Sequence, residues 1–267
     1  MKLTTHDLAL AYDGRLVIDG VSFEIDAGEM VAIVGPNGSG KSTLLRGLSR
    51  LQKPVRGRVL LGETDIRHMS TREVARTLAI LPQSPDAGND LTVRELAWRG
   101  RYPHQGLLQR PGRADYEAVE WALAAADVET LAERTLGSLS GGERQRAWIA
   151  LALAQQPKVL LLDEPTSFLD IQHQVEVMHL LRRLNHEGMT VVAVLHDLPL
   201  AGRFADRAIA INRGKVEMDG PPARVFEPGA LERVFNVPMI VLADPVTGLP
   251  IPLPAPDPHL CAMAPGR

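Results

Sequence analysis

The sequence predicts an α/β fold: a mainly parallel sheet covered by helices, an antiparallel β part at the N-terminus and a helical insert. Three observations carry this. The apolar run Met30 to Val34 leads directly into Gly35-Pro-Asn-Gly-Ser-Gly-Lys-Ser-Thr43, the order of a buried strand, a glycine-rich loop and a helix start. The later apolar runs Val159–Leu162, Val191–Leu195 and Ala208–Ile211 are each flanked by helical or turn segments, as in a parallel sheet covered on both faces. Before Met30, apolar residues alternate at Leu8, Leu10, Val17, Val21, Phe23 and Ile25. This predicts antiparallel strands, with turns at Asp13-Gly14 and Asp19-Gly20.

The loop after Met30–Val34 has the spacing of a phosphate cradle, and it predicts nucleoside triphosphate binding. Its glycines let the backbone curl so that N–H groups converge on phosphate oxygens. Lys41 can reach the β- and γ-phosphates, and Ser42 offers a hydroxyl to Mg²⁺. The helix starting near Lys41 turns its positive end toward the same anion. Gly35, Pro36, Asn37, Gly38, Ser39, Gly40, Lys41, Ser42 and Thr43 are therefore the candidate triphosphate-binding residues.

Val59 to Leu61 reads as a further strand, and Ser70 with Glu73 forms a capping box before a helix. From Ser84 to about Gln156 the chain is mainly helical: Thr92 with Glu95 is a second capping box, and Asp115 to Ala126 is alanine-rich with a helical apolar period. The stripe Val175, Val177, Met178, Leu180, Leu181 and Leu184 predicts a core-facing helix, and Trp98, Trp121 and Trp148 are expected in the core. We divide the chain into a nucleotide-binding unit over 1–236, with the helical part inserted at about 84–156, and a proline-rich tail over 237–267. The tail holds eight prolines; it either folds back on the core or stays loosely ordered, the latter expected from about Leu253.

Composition narrows the function. A chain of 267 residues with one cysteine, Cys261, has no disulfide framework, which suits a reducing compartment. Met-Lys-Leu-Thr-Thr-His-Asp lacks the apolar stretch of a signal peptide. The longest apolar run, Ala147 to Ala154, has eight residues, where a membrane helix needs about twenty. A net charge of −3 argues against a nucleic-acid-coating surface. Arg94, Arg99, Arg101, Arg110 and Arg113 form a locally basic stretch, open to reading as a solvated face or as one that meets anionic lipid or a partner loop. His6, His68, His104, His173, His179, His186 and His259 lack metal-ligand spacing.

Two further motifs carry chemistry. Val159-Leu-Leu-Leu-Asp163-Glu164 is a buried strand ending in two acids. Asp163 is placed to complete the Mg²⁺ shell with Ser42, and Glu164 to orient or deprotonate the attacking water. Leu139-Ser-Gly-Gly-Glu-Arg-Gln-Arg146 opens a helix through the capping box Ser140–Glu143, and glycines behind the cap leave the helix N–H groups open to an anion. A single nucleotide site has no evident use for a second such helix end.

Phosphate loop, Leu-Ser-Gly-Gly-Glu, Leu-Leu-Leu-Asp-Glu-Pro-Thr-Ser and Val194-Leu-His196-Asp197, in that order, resemble the ATP-binding-cassette (ABC) ATPases from Tyr12 to about Ala223. The resemblance implies a P-loop ATPase using Mg²⁺ with ATP and packing head to tail with a second copy of itself. Ser140, Gly141 and Gly142 would then hold the γ-phosphate bound at the other copy's loop, with Glu143 of the same signature capping the helix behind them. It also implies that Gln83 senses Mg²⁺ and water, that His196 contacts the γ-phosphate, and that Asp170 lies at the dimer seam. Tyr12 would stack on adenine, or is simply a strand-edge tyrosine. Two positions depart from the family: Glu143 replaces a more usual Gln, and Phe168 fills a position where a small residue is common.

Finer resemblance points to importers. Gly100-Arg-Tyr-Pro-His-Gln105, Gln145-Arg-Ala-Trp-Ile-Ala150, Leu169-Asp-Ile-Gln-His-Gln174 and Ala243-Asp-Pro-Val-Thr-Gly248 look like ferric-siderophore uptake ATPases, a group that also handles cobalamin and haem. The implied partners are permease subunits and a substrate-binding protein, at the cytoplasmic face of the inner membrane, with no nucleic acid. The competing readings are a cobalamin or haem importer, a soluble cassette ATPase acting on DNA or ribosomes, and a small-molecule kinase. The second lacks its usual coiled-coil insertion or tandem cassette, and the third leaves Leu-Ser-Gly-Gly-Glu and His196 unexplained.

Overall fold

The computed structural model describes residues 1–83, 85, 87–106 and 110–256. Its first half contains β1 (Leu3–Tyr12), β2 (Arg15–Ile25), β3 (Met30–Val34), α1 (Lys41–Leu48), β4 (Arg56–Leu61), β5 (Thr64–Asp65), α2 (Thr71–Thr77), β6 (Leu78–Leu81), α3 (Val93–Arg99) and α4 (Arg113–Ala125). Then follow α5 (Gly141–Ala154), β7 (Val159–Asp163), α6 (Ile171–His186), β8 (Thr190–Val194), α7 (Leu198–Phe204), β9 (Arg207–Asn212), β10 (Lys215–Gly220), α8 (Pro222–Val225), α9 (Pro228–Phe235), β11 (Met239–Ala243) and β12 (Pro250–Pro254).

The apolar runs become the interior of a sheet ordered β10-β9-β3-β8-β7-β6. The β9, β3, β8, β7 and β6 strands pair in parallel, and β10 closes the edge antiparallel to β9. Because side chains alternate along a strand, each run feeds two cores. Val31, Ile33, Val159, Leu161, Val192 and Val194 face α1 and the antiparallel sheet, whereas Met30, Ala32, Leu160, Leu162, Val191 and Ala193 face the helices of the other side. A second sheet, β2-β1-β4-β5, covers α1. The fit is close: a Cβ at Gly47 of α1 would lie 2.5 Å from Leu10 Cδ1.

Asp13-Gly14 is the hairpin turn between β1 and β2, but Asp19-Gly20 is not a turn. Gly20 lies inside β2 with φ 69°, where the register with β1 shifts between the pairs Leu8↔Val21 and Leu10↔Ile18. The glycine absorbs a bulge that bends the strand. Arg56 fastens the bulge by bonding both Asp7 and Asp19.

The helical insert forms as α3, α4 and α5. Thr92 with Glu95 and Ser140 with Glu143 make reciprocal caps for α3 and α5, whereas α4 has the one-way bond from the Gly112 N–H to the Asp115 carboxylate. Of the tryptophans, Trp148 is buried, Trp98 packs edge-on against Tyr116 at 4.8 Å, and Trp121 is exposed. Three of the five arginines of the basic stretch are paired or buried. Arg94 bonds Glu120 and Glu133, Arg113 pairs with Glu117, and Arg101 is buried.

After Val237 the chain returns to the core as the hairpin β11–β12, with β12 lying on α7. A Cβ at Gly202 of α7 would stand 2.7 Å from the Pro250 carbonyl oxygen. Leu253 and Pro254 belong to β12, while residues from 257 on, His259 and Cys261 among them, lie outside the described residues. Among the described residues no helix is long and apolar enough to cross a membrane.

Candidate active site

The parallel strands deliver their C-terminal ends to one edge, where ligands of open α/β sheets bind. Neighbouring β3, β8, β7 and β6 present there, in that order, the Gly35 loop, His196, the pair Asp163–Glu164, and Gln83. Residues far apart in sequence meet because the strand order interleaves them.

The loop wraps the start of α1. Gly35 has φ 151° and its backbone lies so near Ile211 that a Cβ would be 2.0 Å from that carbonyl oxygen. Gly40, the N-cap of α1, has φ 104° and meets the Ile18 side chain. Lys41 is buried and donates to the carbonyls of Gly35 and Pro36, both at 2.9 Å. Burial pushes its ammonium below the ordinary lysine value, against the opposing pull of Glu164 and Asp163. Val17, Asn37, Gly38, Gly40, Lys41, Ser42, Thr43 and Glu164 line a single open cleft.

Ser42 Oγ donates to Asp163 Oδ1 at 3.0 Å, joining the helix start to the end of β7. Burial, reinforced by the neighbouring Glu164 charge, raises the Asp163 carboxyl above the ordinary carboxylate range, in spite of that hydrogen bond. A hydroxyl and a carboxylate side by side are hard oxygen donors of the kind Mg²⁺ takes beside substrate phosphates, so the residues fit that ion.

Glu164 is the hub. Its Oε2 accepts from Gln83 Nε2 at 2.5 Å and from Ser167 Oγ at 2.9 Å, and its Oε1 pairs with His196 Nε2 at 2.5 Å. Its backbone is left-handed, φ 55°, which turns the side chain out of the strand toward the cleft at a cost of roughly 1–2 kcal/mol. Gln83, Glu164 and His196, predicted separately, thus converge. Ser167 is the member that sequence reasoning missed; only its place three residues after Glu164, in a tight turn, signals it.

Other expected residues stand apart. Tyr12 is exposed at the end of β1 and does not line the cleft. Ser39 is buried behind the loop, its Oγ without a hydrogen-bond partner, 3.1 Å from where a Gly35 Cβ would stand. Ser140, Gly141, Gly142 and Glu143 open α5 outside the cleft, with the Glu143 carboxylate held below its ordinary range by hydrogen bonds from Ser140. Asp170 caps α6. Between it and Glu164, Phe168 is almost fully exposed at 92%, with left-handed φ 64°.

Comparison with known proteins places this arrangement. A family model described as ABC transporter matches residues 18–167. The ferric enterobactin transport ATP-binding protein FepC of Escherichia coli (strain K12) is 45% identical over 254 residues, covering 95% of this chain and 94% of that protein. The hemin import ATP-binding protein HmuV of Rhodococcus jostii (strain RHA1) is 42% identical over 259 residues, covering 96% and 87%. A metal-chelate type ABC transporter solved in an inward-facing conformation superposes with a TM-score of 0.83 at 28% identity, covering 95% of this chain and 96% of that one. A bacterial ABC transporter cassette solved as a dimer does so with a TM-score of 0.72 at 31% identity, covering 82% and 98%. Phosphate loop, acid-tipped β7 and overall likeness agree: the chain belongs to the ABC transporter family, as one of its ATP-hydrolysing cassettes.

Proposed function

We propose that this cassette drives import of ferric siderophores, hydrolysing ATP at a site shared between two copies of the chain. The observation that carries the catalytic reading is the convergence of Gln83, Ser167 and His196 on Glu164 at the rim of the phosphate cleft. A carboxylate held by three donors is fixed in orientation, as a group that must align or deprotonate a water molecule needs to be. Lys41 exchanges its two carbonyl partners for the β- and γ-phosphates, and the α1 N-terminus adds its dipole. Ser42, Asp163 and Gln83 would hold Mg²⁺, which supplies charge neutralisation between the phosphates. Tyr12 offers a ring to adenine.

The head-to-tail arrangement gives the second anion-binding helix end a purpose: Ser140, Gly141, Gly142 and Glu143 complete the partner's site, with Asp170 at the seam. A relative of the same fold solved as a dimer supports this. Unit boundaries at 1–236 and 237–267, with the insert at about 84–156, assign ATP chemistry to the first unit and permease docking to the insert. Peripheral attachment at the cytoplasmic membrane face follows from docking on permease subunits, served in turn by a substrate-binding protein. The cargo reading rests on relatives named for enterobactin, achromobactin and petrobactin, and hemin is the second reading because other relatives at similar identity are named for it.

The test is Glu164→Gln. We expect ATP binding to persist, turnover to fall about 10²–10⁴-fold and a stable ATP-dependent dimer to accumulate. The tagged variant should capture a polytopic permease from solubilised native membranes. A variant that stays monomeric at saturating ATP rejects the shared site. Cells lacking the chain that take up ferric siderophore normally, but lose hemin or cobalamin uptake, reject the cargo.

A further inference from the structure

The segment Leu169–Gln174 touches the opening of α5. The His173 ring lies where a Gly142 side chain would be: an added Cβ would stand 2.0 Å from its Cδ2 and 2.5 Å from its Cγ. Leu169 Cδ2 is 3.4 Å from the corresponding point at Gly141. The ring is tethered as well as packed. Asp170 Oδ1 accepts the His173 backbone N–H at 2.9 Å and faces ring Nδ1 at 2.7 Å. Those two bonds hold the Asp170 carboxyl below its ordinary range, so it stays an ionised acceptor and Nδ1 carries the donated proton.

The chain between Glu164 and this anchor is short and tightly wound. Ser167 N–H donates to the Glu164 carbonyl, Ser167 Oγ to its carboxylate, and Gln174 Nε2 holds the carbonyls of Thr166 and Leu169. These bonds tie the loop to Glu164 at one end and to the start of α6 at the other, where Asp170 holds the His173 ring against Gly142.

We infer that His173 is a positioning residue that locks the Gly141–Gly142 helix end to the Glu164–Asp170 loop and so couples the two ATP sites of the dimer. The inference rests on the head-to-tail reading above. Glu164 serves the chain's own nucleotide, whereas Gly141 and Gly142 serve the partner's. Within one subunit the His173 ring packs against Gly142 while its tether, Asp170, ends the loop that begins at Glu164.

The experiment uses full-length Glu164→Gln protein with His173 intact, His173→Ala or His173→Asn. Dimer fraction is followed by light scattering against ATP, and nucleotide binding to dilute monomer by a fluorescent ATP analogue. We expect His173→Ala to raise the ATP needed for half-maximal dimer about tenfold, the loss of one hydrogen bond to a charged group, while monomer binding stays unchanged. His173→Asn should restore dimerisation, because its amide nitrogen can stand where Nδ1 stands. In hydrolysis-competent protein His173→Ala should lower the Hill coefficient for ATP toward one. Dimerisation at the same ATP in all three proteins overturns the coupling role. Loss of monomer binding in His173→Ala, or failure of His173→Asn to recover, also overturns it by showing general structural damage. If the variant with His173 intact never dimerises, it is the shared-site reading that fails.

Discussion

Arg101 offers a prediction whose size follows from its surroundings. Its side chain is only 4% exposed and Asp115 is 17% exposed. Nε bonds Asp115 at 3.0 Å, while one terminal nitrogen bonds the Ala154 carbonyl at 2.6 Å and Gln156 Oε1 at 3.1 Å. One guanidinium thus joins the end of α3, the start of α4 and the last turn of α5, where a cation also complements the helix dipole. Arg101→Met keeps much of the volume but strands a carboxylate and a carbonyl with no donor from that side. Breaking a buried pair in this way costs about 3–5 kcal/mol. For a chain of this size that is a Tm lower by roughly 6–20 °C.

Thermal unfolding of nucleotide-free protein, followed by circular dichroism, measures it. The double variant Arg101→Met/Asp115→Leu should recover part of the loss, since no charge is then left alone. Recovery is incomplete because Asp115 also caps α4 through the Gly112 N–H. Burial acts to raise the Asp115 carboxyl, but hydrogen bonds from Gly112 and Arg101 outweigh it and leave it below its ordinary value. A depressed carboxyl contributes stability that is present above its unfolded pKa and lost as pH falls through the folded one. The Arg101→Met penalty should therefore shrink below the ordinary carboxylate range. A loss under about 1 kcal/mol, or no coupling between the two positions, refutes the argument, because that is how an exposed pair behaves.

Ser167→Ala removes one of the donors to Glu164 and should lower kcat about tenfold with little change in KM, read by phosphate release; an unchanged kcat would remove Ser167 from the site. Asp163→Asn should abolish Mg²⁺-dependent hydrolysis yet raise the Tm of nucleotide-free protein at neutral pH. Burial raises the folded carboxyl above its unfolded value, so ionised Asp163 destabilises the fold; this penalty shrinks as pH falls below the folded pKa and is gone below the unfolded one. A lower Tm for Asp163→Asn at neutral pH would refute that sign.

What was legible in the sequence was chemistry with short-range spacing. Gly35 to Thr43, Asp163–Glu164 and the capping boxes at Ser70, Thr92 and Ser140 all depend on neighbours within a few residues, and all form. What escaped depends on partners brought in by the fold. Asp19-Gly20 has turn composition but is drawn into β2 by pairing with β1. The arginine stretch reads as basic because its counter-charges, Glu120 and Glu133 among them, come from α4 and beyond. The tail reads as loose because prolines dominate it. Yet β11–β12 is a two-stranded hairpin covered by α7, where prolines can occupy edge positions without losing interior hydrogen bonds.

The importer-like stretches fall under the same physics, and this limits what they can say about cargo. Gly100 lets α3 approach α5, since a Cβ there would lie 2.2 Å from the Leu151 carbonyl oxygen; Arg101 and His104 then bond the carbonyls of Ala154 and Gln155. Asp244 accepts the N–H groups of Val246 and Thr247, and Gly248 takes φ 72°, which together make the turn between β11 and β12. Arg146 pairs with Glu176 across α5 and α6. Each motif holds one element of this chain against another, and none lines the phosphate cleft. Their chemistry in this chain is structural and makes no reference to iron, so on the importer reading proposed above we expect discrimination among chelates in the proteins that meet the chelate. Exchanging Gly100–Gln105 or Ala243–Gly248 for the matching segments of a hemin-type relative should therefore alter stability and leave cargo unchanged in uptake assays. A switch in cargo on such an exchange would place recognition in this chain and overturn that division of labour.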